Sequence, residues 1–474
     1  MAINITVQAV SRFEISAKAY NDQVKHGYNP NYVNPQTRRI ELQSNTLPGD
    51  TRGWEWRVTR RRDGKLFSKK HSLVFSLPEP RASVGFNLPS EGIYDCQLVV
   101  NRANGSQEKS AVRSIDLRDY LIVVIGDSAA AGQGNPDTAG KPKEFGDDIS
   151  GWDLFNPVEW VESAIDAGFN WFKKNFTTLS RALDAKLDMN PPPGWLEKNA
   201  YRSLRSGAVI AARNQENLRQ GEVVTFLHFA RSGSDILAGL LGPRTKGGKK
   251  IDGWIGNIGQ LEELRRAVGS REIDALIISI GVNDAGFSGS LTNLVKEDFG
   301  WGNDKKNRAE VLNKIDQAIS GLDARFRKLH EEINDLNVRK VYITEYPTAI
   351  FDKIINGKVE TSGGCGIFNS NFDMDISPQD AKDLKGAAEK LNQKIREMAR
   401  IHNWVYIGEI AEGFAGHGYC AGNDSFFVSA EGSLVIQGDS EGTMHPNARG
   451  HAVIAEKLSK QLRTGLKTTK VIVS

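Results

Sequence analysis

Four short blocks of this sequence carry residue types suited to nucleophilic chemistry, and three of them directly follow apolar runs. The run Tyr120 to Ile125 leads into Gly126-Asp127-Ser128-Ala-Ala-Ala-Gly132-Gln133-Gly134-Asn-Pro-Asp137. A serine that follows a buried strand and opens a helix is held at a sheet edge, where helix-end amides favour developing negative charge. The run Val223 to Phe229 leads into Ala230-Arg-Ser-Gly233-Ser, and Ala275 to Ile280 leads into Gly281-Val-Asn283-Asp284. Both place small or amide residues where an oxyanion needs donors: the backbone N–H of Gly233, the side-chain amide of Asn283 and the N–H of Ser128 itself. The fourth block is Gly442-Thr443-Met444-His445-Pro446-Asn447. A residue before proline is pushed out of the helical region, so His445 sits in a loop, free to act as general base to Ser128. Taken singly, Gly233 reads as a turn glycine, Asn283 as a helix cap and His445 as a surface histidine. Their order at successive strand ends argues for one site.

The elements that must position these blocks are five apolar runs, the three above together with Val341 to Thr344 and Trp404 to Ile407. Segments of helical period separate them, among them Arg308 to Ile333 and Pro378 to Ile401. Fully apolar runs alternating with helices imply a parallel sheet covered on both faces, a doubly wound α/β domain. In such sheets ligands sit outside the carboxyl ends of the strands, where the blocks lie. Residues 138–200 exceed what a crossover helix needs and hold Trp152, Phe155, Trp160, Phe169, Trp171, Phe172 and Phe176. Their spacing suits one helical face, which either packs on the core or forms a lid or acyl-chain platform.

Before about residue 119 the pattern is different. Ile40 to Leu42, Trp54 to Val58, Ser72 to Phe75, Val84 to Phe86 and Ile93 to Val100 are short alternating segments broken by turn formers, which predicts a small accessory β-sandwich over 1–118. Trp54 and Trp56 fall on one face of a strand, and Leu88-Pro-Ser-Glu-Gly-Ile-Tyr94 resembles the turn into a late strand of immunoglobulin-like domains. Residues 119–474 form the remaining, catalytic domain.

The order Ser128, Gly233, Asn283, His445 resembles the SGNH hydrolase family, the GDSL-type esterases and lipases, over roughly residues 120–465. The bacterial lipase branch is the most similar, through Gly126-Asp-Ser-Ala-Ala-Ala-Gly132, Phe414-Ala-Gly-His-Gly-Tyr-Cys-Ala421 and Gly442-Thr-Met-His-Pro446. The resemblance implies a flavodoxin-like three-layer α/β/α fold, Ser128 as nucleophile, Ser128, Gly233 and Asn283 as oxyanion donors, His445 as base, and no metal or organic cofactor. It implies a carboxylic ester substrate, with lipid or phospholipid esters favoured and a deacetylase of acylated carbohydrate as the alternative. The family's usual Asp three residues before the histidine is Gly442 here. The orienter of His445 is then Asp439, Glu441 or a backbone carbonyl.

Charge is nearly balanced at +3 with 25% charged residues, so no whole-protein field points to nucleic acid or to an anionic membrane. Peripheral contact with a membrane or polysaccharide stays open. Residues 1–118 hold a basic excess of seven, much of it in Arg57, Arg60, Arg61, Arg62, Lys65, Lys69 and Lys70 around an expected hairpin turn at Asp63-Gly64. This is either a solvated hairpin face or a contact for an acidic surface. No stretch approaches the roughly 18 apolar residues of a transmembrane helix, and the first residues lack the pattern of a secretory signal, which leaves the cytoplasm or a signal-independent export route. Of three cysteines, Cys96 reads as a core thiol, while Cys365 and Cys420, in Gly-rich loops, are positioned to pair in an exported protein. Two rivals remain. One is a binding protein on a catalytically weak scaffold. The other is a metal-dependent phosphoesterase using Asp127, Asn283, Asp284 and His445, though ligand-spaced His and Asp motifs are missing.

Overall fold

The computed structural model describes residues 3–13, 27–45, 47–72, 81–143, 186–216, 218–246, 249–250, 258–287, 305–361 and 378–467. The aromatic residues Trp152 to Phe176 and Cys365 lie outside the described residues. The chain divides into two compact units that follow no single cut: residues 1–122, 212–226 and 463–474 form one, and 123–211 with 227–462 the other.

The first unit holds two antiparallel sheets. One is β1 (Ile5–Ala9), β2 (Arg38–Ser44) and β5 (Ser83–Leu88), in the order β1-β2-β5. The other runs β4 (Leu66–Ser72), β3 (Thr51–Arg60), β6 (Gly92–Arg102) and the start of β8 (Arg113–Gly126), with β7 (Gln107–Lys109) also on β6. Alternation turns one face of β2, β3 and β6 inward: Ile40 and Leu42 from β2, Trp54, Trp56 and Val58 from β3, and Tyr94, Cys96, Leu98 and Val100 from β6 join one core cluster. Trp54 and Trp56 share the buried face, as their spacing predicts. Cys96 is a free buried thiol, raised to about 12 by that burial. The basic hairpin is real, with β3 and β4 pairing around a turn where Gly64 has φ 65°. Several of its cations are paired: Arg60 with Asp63, Arg61 with Asp95 at 2.6 Å, Arg57 with Glu55 at 2.7 Å.

Residues 212–226 join this unit through polar contacts that no sequence pattern announces. Glu216 accepts the Arg12 amide at 2.9 Å and the Val224 amide at 3.0 Å. The fully buried Asp119 takes the Thr225 hydroxyl at 2.7 Å and lies 3.5 Å from the Arg12 guanidinium and 3.4 Å from that of Arg38.

The second unit is α/β, and it includes two short antiparallel ladders, β10 (Thr245–Lys246) with β11 (Lys249–Lys250) and β14 (Asp352–Ile355) with β15 (Lys358–Thr361). Strands β12 (Ala275–Ser279), β13 (Val341–Thr344) and β16 (Val405–Ile407) pair in parallel, in register Leu276↔Val341 and Tyr342↔Val405. The end of β8 lies beside β12, and the end of β9 (Glu222–His228) beside β8. Every residue of β12 and β13 is buried, so both faces are covered. The five expected strands all form, and because β8 is antiparallel to β6 the sheet as a whole is mixed. The stretch from Arg308 to Ile333 is two helices, Lys305–Ser320 and Leu322–Asn334, meeting at Gly321, and Pro378–Ile401 is one long amphipathic helix. Among the described residues, no helix is long and apolar enough to cross a membrane. Cys420 is disulfide-bonded.

Candidate active site

Strand β8 ends at Gly126, whose φ of 143° and surroundings exclude a side chain: an added Cβ would stand 2.2 Å from the Ser279 carbonyl oxygen. Its N–H and C=O both pair with the buried amide of Gln260, each at 2.8 Å. Asp127 then caps a single turn, Ser128–Ala131, accepting the Ala129 amide at 3.0 Å. The expected helix after Ser128 is only this turn, because Gly132, at φ 89°, turns left-handed and donates its N–H to the Ser128 carbonyl. Four residues sum too few peptide dipoles to act as a helix end; what remains is the local amide. Ser128 is 9% exposed, and among the described residues its hydroxyl has no hydrogen-bond partner.

Gly233 follows β9 at φ 70°. Its loop is fixed from below by buried guanidinium groups: Arg202 donates to the Phe229 and Ala230 carbonyls, both at 2.9 Å, and Arg231 to that of Ile258 at 2.7 Å. Glu263 pairs with both arginines, which offsets the cost of burying their charge. Asn283 lies in the turn after β12 and its Nδ2 donates to the Ser234 carbonyl at 2.8 Å, joining the loops of Asn283 and Gly233.

His445 faces Thr443: Nδ1 is 3.2 Å from that residue's carbonyl oxygen. Its ring is lowered to about 4, first by desolvation, against the opposing pull of the Thr443 and Gly442 backbone. Among the described residues, Nε2 has no hydrogen-bond partner. Met444 beside it holds φ 62°, and its side chain packs on the cluster of Phe351, Ala381 and Leu384. Neither carboxylate weighed as orienter is the hydrogen-bond partner of Nδ1. Asp439 accepts the Tyr201 hydroxyl at 2.9 Å and the Gln437 amide at 2.5 Å, and Glu441 is exposed. The absence of a side chain at 442 has a steric reason. A Cβ there would lie 2.7 Å from Gln437 Oε1 and 2.9 Å from both Gly134 Cα and Ser433 Oγ. Gly134 in turn packs on the histidine, where an added Cβ would be 3.2 Å from His445 Cβ. The Ser128 and His445 loops therefore meet at a glycine–glycine contact.

A model of the GDSL-like lipase/acylhydrolase family matches residues 122–458 of the sequence. The chain belongs to that family. Among solved structures it is similar to an extracellular lipase from Streptomyces rimosus, at 17% identity over 72% of this chain and 99% of the lipase, with a TM-score of 0.42. It is similar also to phospholipase A1 from Streptomyces albidoflavus NA297, at 17% identity over 72% and 98% of the two chains, with a TM-score of 0.40. A family two carbohydrate esterase from Clostridium thermocellum is similar at 13% identity over 98% and 100%, with a TM-score of 0.30. Curated proteins give no match.

In this GDSL-like acylhydrolase, a hydrolase of ester bonds, the structure adds residues that the sequence pattern does not single out. Tyr346, two residues beyond β13, donates its hydroxyl to buried Asp127. Burial pushes Asp127 up to about 7, against the hydrogen bonds from Tyr346, Ala129 and Ala130. Asp284 is likewise raised by burial, against the bond from Arg325 at 2.7 Å, and it accepts the Ile236 amide at 3.1 Å. Of the groups weighed as metal ligands, Asp127 is bonded to Tyr346 and Asp284 to Arg325. Tyr346 alone had a signal, its place at a strand's carboxyl end. Gln260 lies far from every motif and had none.

Proposed function

We propose that this acylhydrolase cleaves carboxylic esters through an acyl-enzyme on Ser128, with His445 as general base and the N–H groups of Ser128 and Gly233 and the amide of Asn283 as oxyanion donors. The observation that carries the reading is the state of His445. Its Nδ1 is engaged by the Thr443 carbonyl, which places the proton there and leaves Nε2 as the basic nitrogen, while its Cβ packs on Gly134 of the Ser128 loop. His445 takes the Ser128 proton as the hydroxyl oxygen bonds to the carbonyl carbon. The donors stabilise the tetrahedral oxyanion. The alcohol leaves with that proton, and water, deprotonated by His445, then releases the acid and restores Ser128. In place of a carboxylate, the Thr443 carbonyl holds the ring, which makes the pair a Ser-His dyad.

A lipid or phospholipid ester is the favoured substrate, on the strength of the aromatic segment read from the sequence. We read the second unit as a flavodoxin-like three-layer fold and the first as an immunoglobulin-like β-sandwich. Support for the latter comes from Tyr94 at the start of β6. Its hydroxyl donates to the Ser90 carbonyl at 2.8 Å, two residues before buried Cys96, in the manner of a tyrosine corner.

The test uses Ser128→Ala and His445→Ala with a short p-nitrophenyl ester. Each variant loses hydrolysis while keeping the parental melting curve, and near-parental turnover in either refutes the assignment. A chain-length series tests the substrate class, since a preference for acyl chains of about eight carbons or more supports lipid and a preference for acetyl overturns it.

A further inference from the structure

Gln133 stands at the junction of three loops. It follows the turn that carries Ser128, is 2% exposed, and donates its backbone N–H to the Ser128 carbonyl at 3.2 Å. Its side-chain amide reaches two ways. Oε1 accepts the hydroxyl of Ser232, the neighbour of Gly233, and Nε2 donates to the backbone carbonyl of Glu441 at 2.5 Å. Glu441 precedes Gly442, whose carbonyl accepts the His445 N–H at 3.1 Å. One planar amide therefore links the loops of Ser128, Gly233 and His445. The amide has an acceptor and a donor on one fixed plane; an ionised carboxylate lacks the donor and an aliphatic chain lacks both.

We infer that Gln133 is a positioning residue for the hydrolysis, setting the spacing of nucleophile, oxyanion donor and base without touching the reacting atoms. The inference rests on the roles proposed for Ser128, Gly233 and His445. The Ser128 and Gly233 loops are also tied by Gln260, which donates to Ser234 Oγ at 3.0 Å and pairs with Gly126. The His445 loop has Gln133 as its side-chain tie to the other two, beside the Gly134–Gly442 contact. A displacement of about 1 Å between reacting groups costs on the order of a hundredfold in rate. Substrate binding outside the reacting centre is unaffected, so the loss belongs in kcat and not in KM.

The experiment measures steady-state kinetics and thermal melts of the full chain as wild type, Ser128→Ala, Gln133→Ala and Gln133→Glu, with p-nitrophenyl butyrate, at a temperature where each is folded. Gln133→Ala is expected to lose about tenfold to a hundredfold in kcat with KM changed less than about twofold. Gln133→Glu keeps the size and the Ser232 contact but turns a carboxylate toward the Glu441 carbonyl. Its kcat, relative to wild type at the same pH, is low at neutral pH and recovers in acid as the introduced carboxyl gains an O–H donor. A purely structural prop would lower the melting temperature and leave the kcat of folded enzyme unchanged. Parental kcat in Gln133→Ala, or a loss confined to KM or to stability, overturns the inference. An inactive wild type, or turnover retained by Ser128→Ala, refutes instead the Ser128 reading, and the role of Gln133 falls with it.

Discussion

Restoring the family's usual carboxylate with Gly442→Asp should harm this enzyme. A Cβ at 442 meets Gln437 Oε1 at 2.7 Å, Gly134 Cα at 2.9 Å and Ser433 Oγ at 2.9 Å, and at such distances something must move. Gly134 Cα is backbone and is itself wedged, with the Gly442 oxygen 3.1 Å and His445 Cβ 3.2 Å from where its own Cβ would be. Ser433 Oγ is also committed, accepting the Gly442 amide at 2.9 Å and donating to the Asp439 carbonyl at 2.6 Å. Overpacking of this kind costs about 1–3 kcal/mol. An added buried carboxylate without a donor brings the total to roughly 2–6 kcal/mol. The glycine contact also sets the distance between the Ser128 and His445 loops, so kcat should fall by about tenfold or more. The assay is hydrolysis of p-nitrophenyl butyrate beside a thermal melt, with Gly442→Ala to isolate the steric part. Higher kcat in Gly442→Asp at an unchanged melting temperature would refute the reasoning, because it would mean that the loop accommodates the carboxylate and His445 uses it.

His445 is lowered from 6.5 to about 4 by desolvation, so it stays neutral and basic on mild acidification. The acid limb of kcat/KM should have its midpoint below 6.5, toward 4; a midpoint at 6.5 or above contradicts the buried setting of the ring. Asp127 is raised from 3.8 to about 7, so the unfolded chain releases its proton first. Its contribution to stability is complete below pH 3.8 and is lost as pH rises through 7, and Asp127→Asn should flatten that decline in melting temperature against pH. In the first unit, Tyr94→Phe removes the hydrogen bond to the Ser90 carbonyl and should cost about 1 kcal/mol in urea unfolding. No change there would show that the hydroxyl is equally well satisfied by water.

The buried strands were legible because their runs are continuous and apolar, and the two-residue alternation of β3 and β6 likewise marked which side chains face inward. Three of the four chemical blocks were legible because each follows an apolar run, and the fourth, around His445, because a histidine before proline sits in a loop; together they use residue types with few other reasons to occur in that order. The partner of His445 Nδ1 was not, since every residue has a backbone carbonyl and no letter marks the one that will be used. The steric reason for Gly442 was equally hidden: it depends on Gly134, 308 positions away in sequence, lying against it. Gln133 sat inside a motif without declaring its role, as its partners Ser232 and Glu441 come from loops that only folding brings together. Segment 212–226, read as part of the second domain, clusters with the first unit through Glu216 and Asp119, contacts without periodicity. Local pattern thus determined the strands, the hairpin and the chemically competent residues, because burial period and turn chemistry are written in neighbouring residues. The spacing of those residues, and the carbonyl that His445 Nδ1 faces, were decided by folding, since these hydrogen bonds and close approaches exist only once the chain is packed.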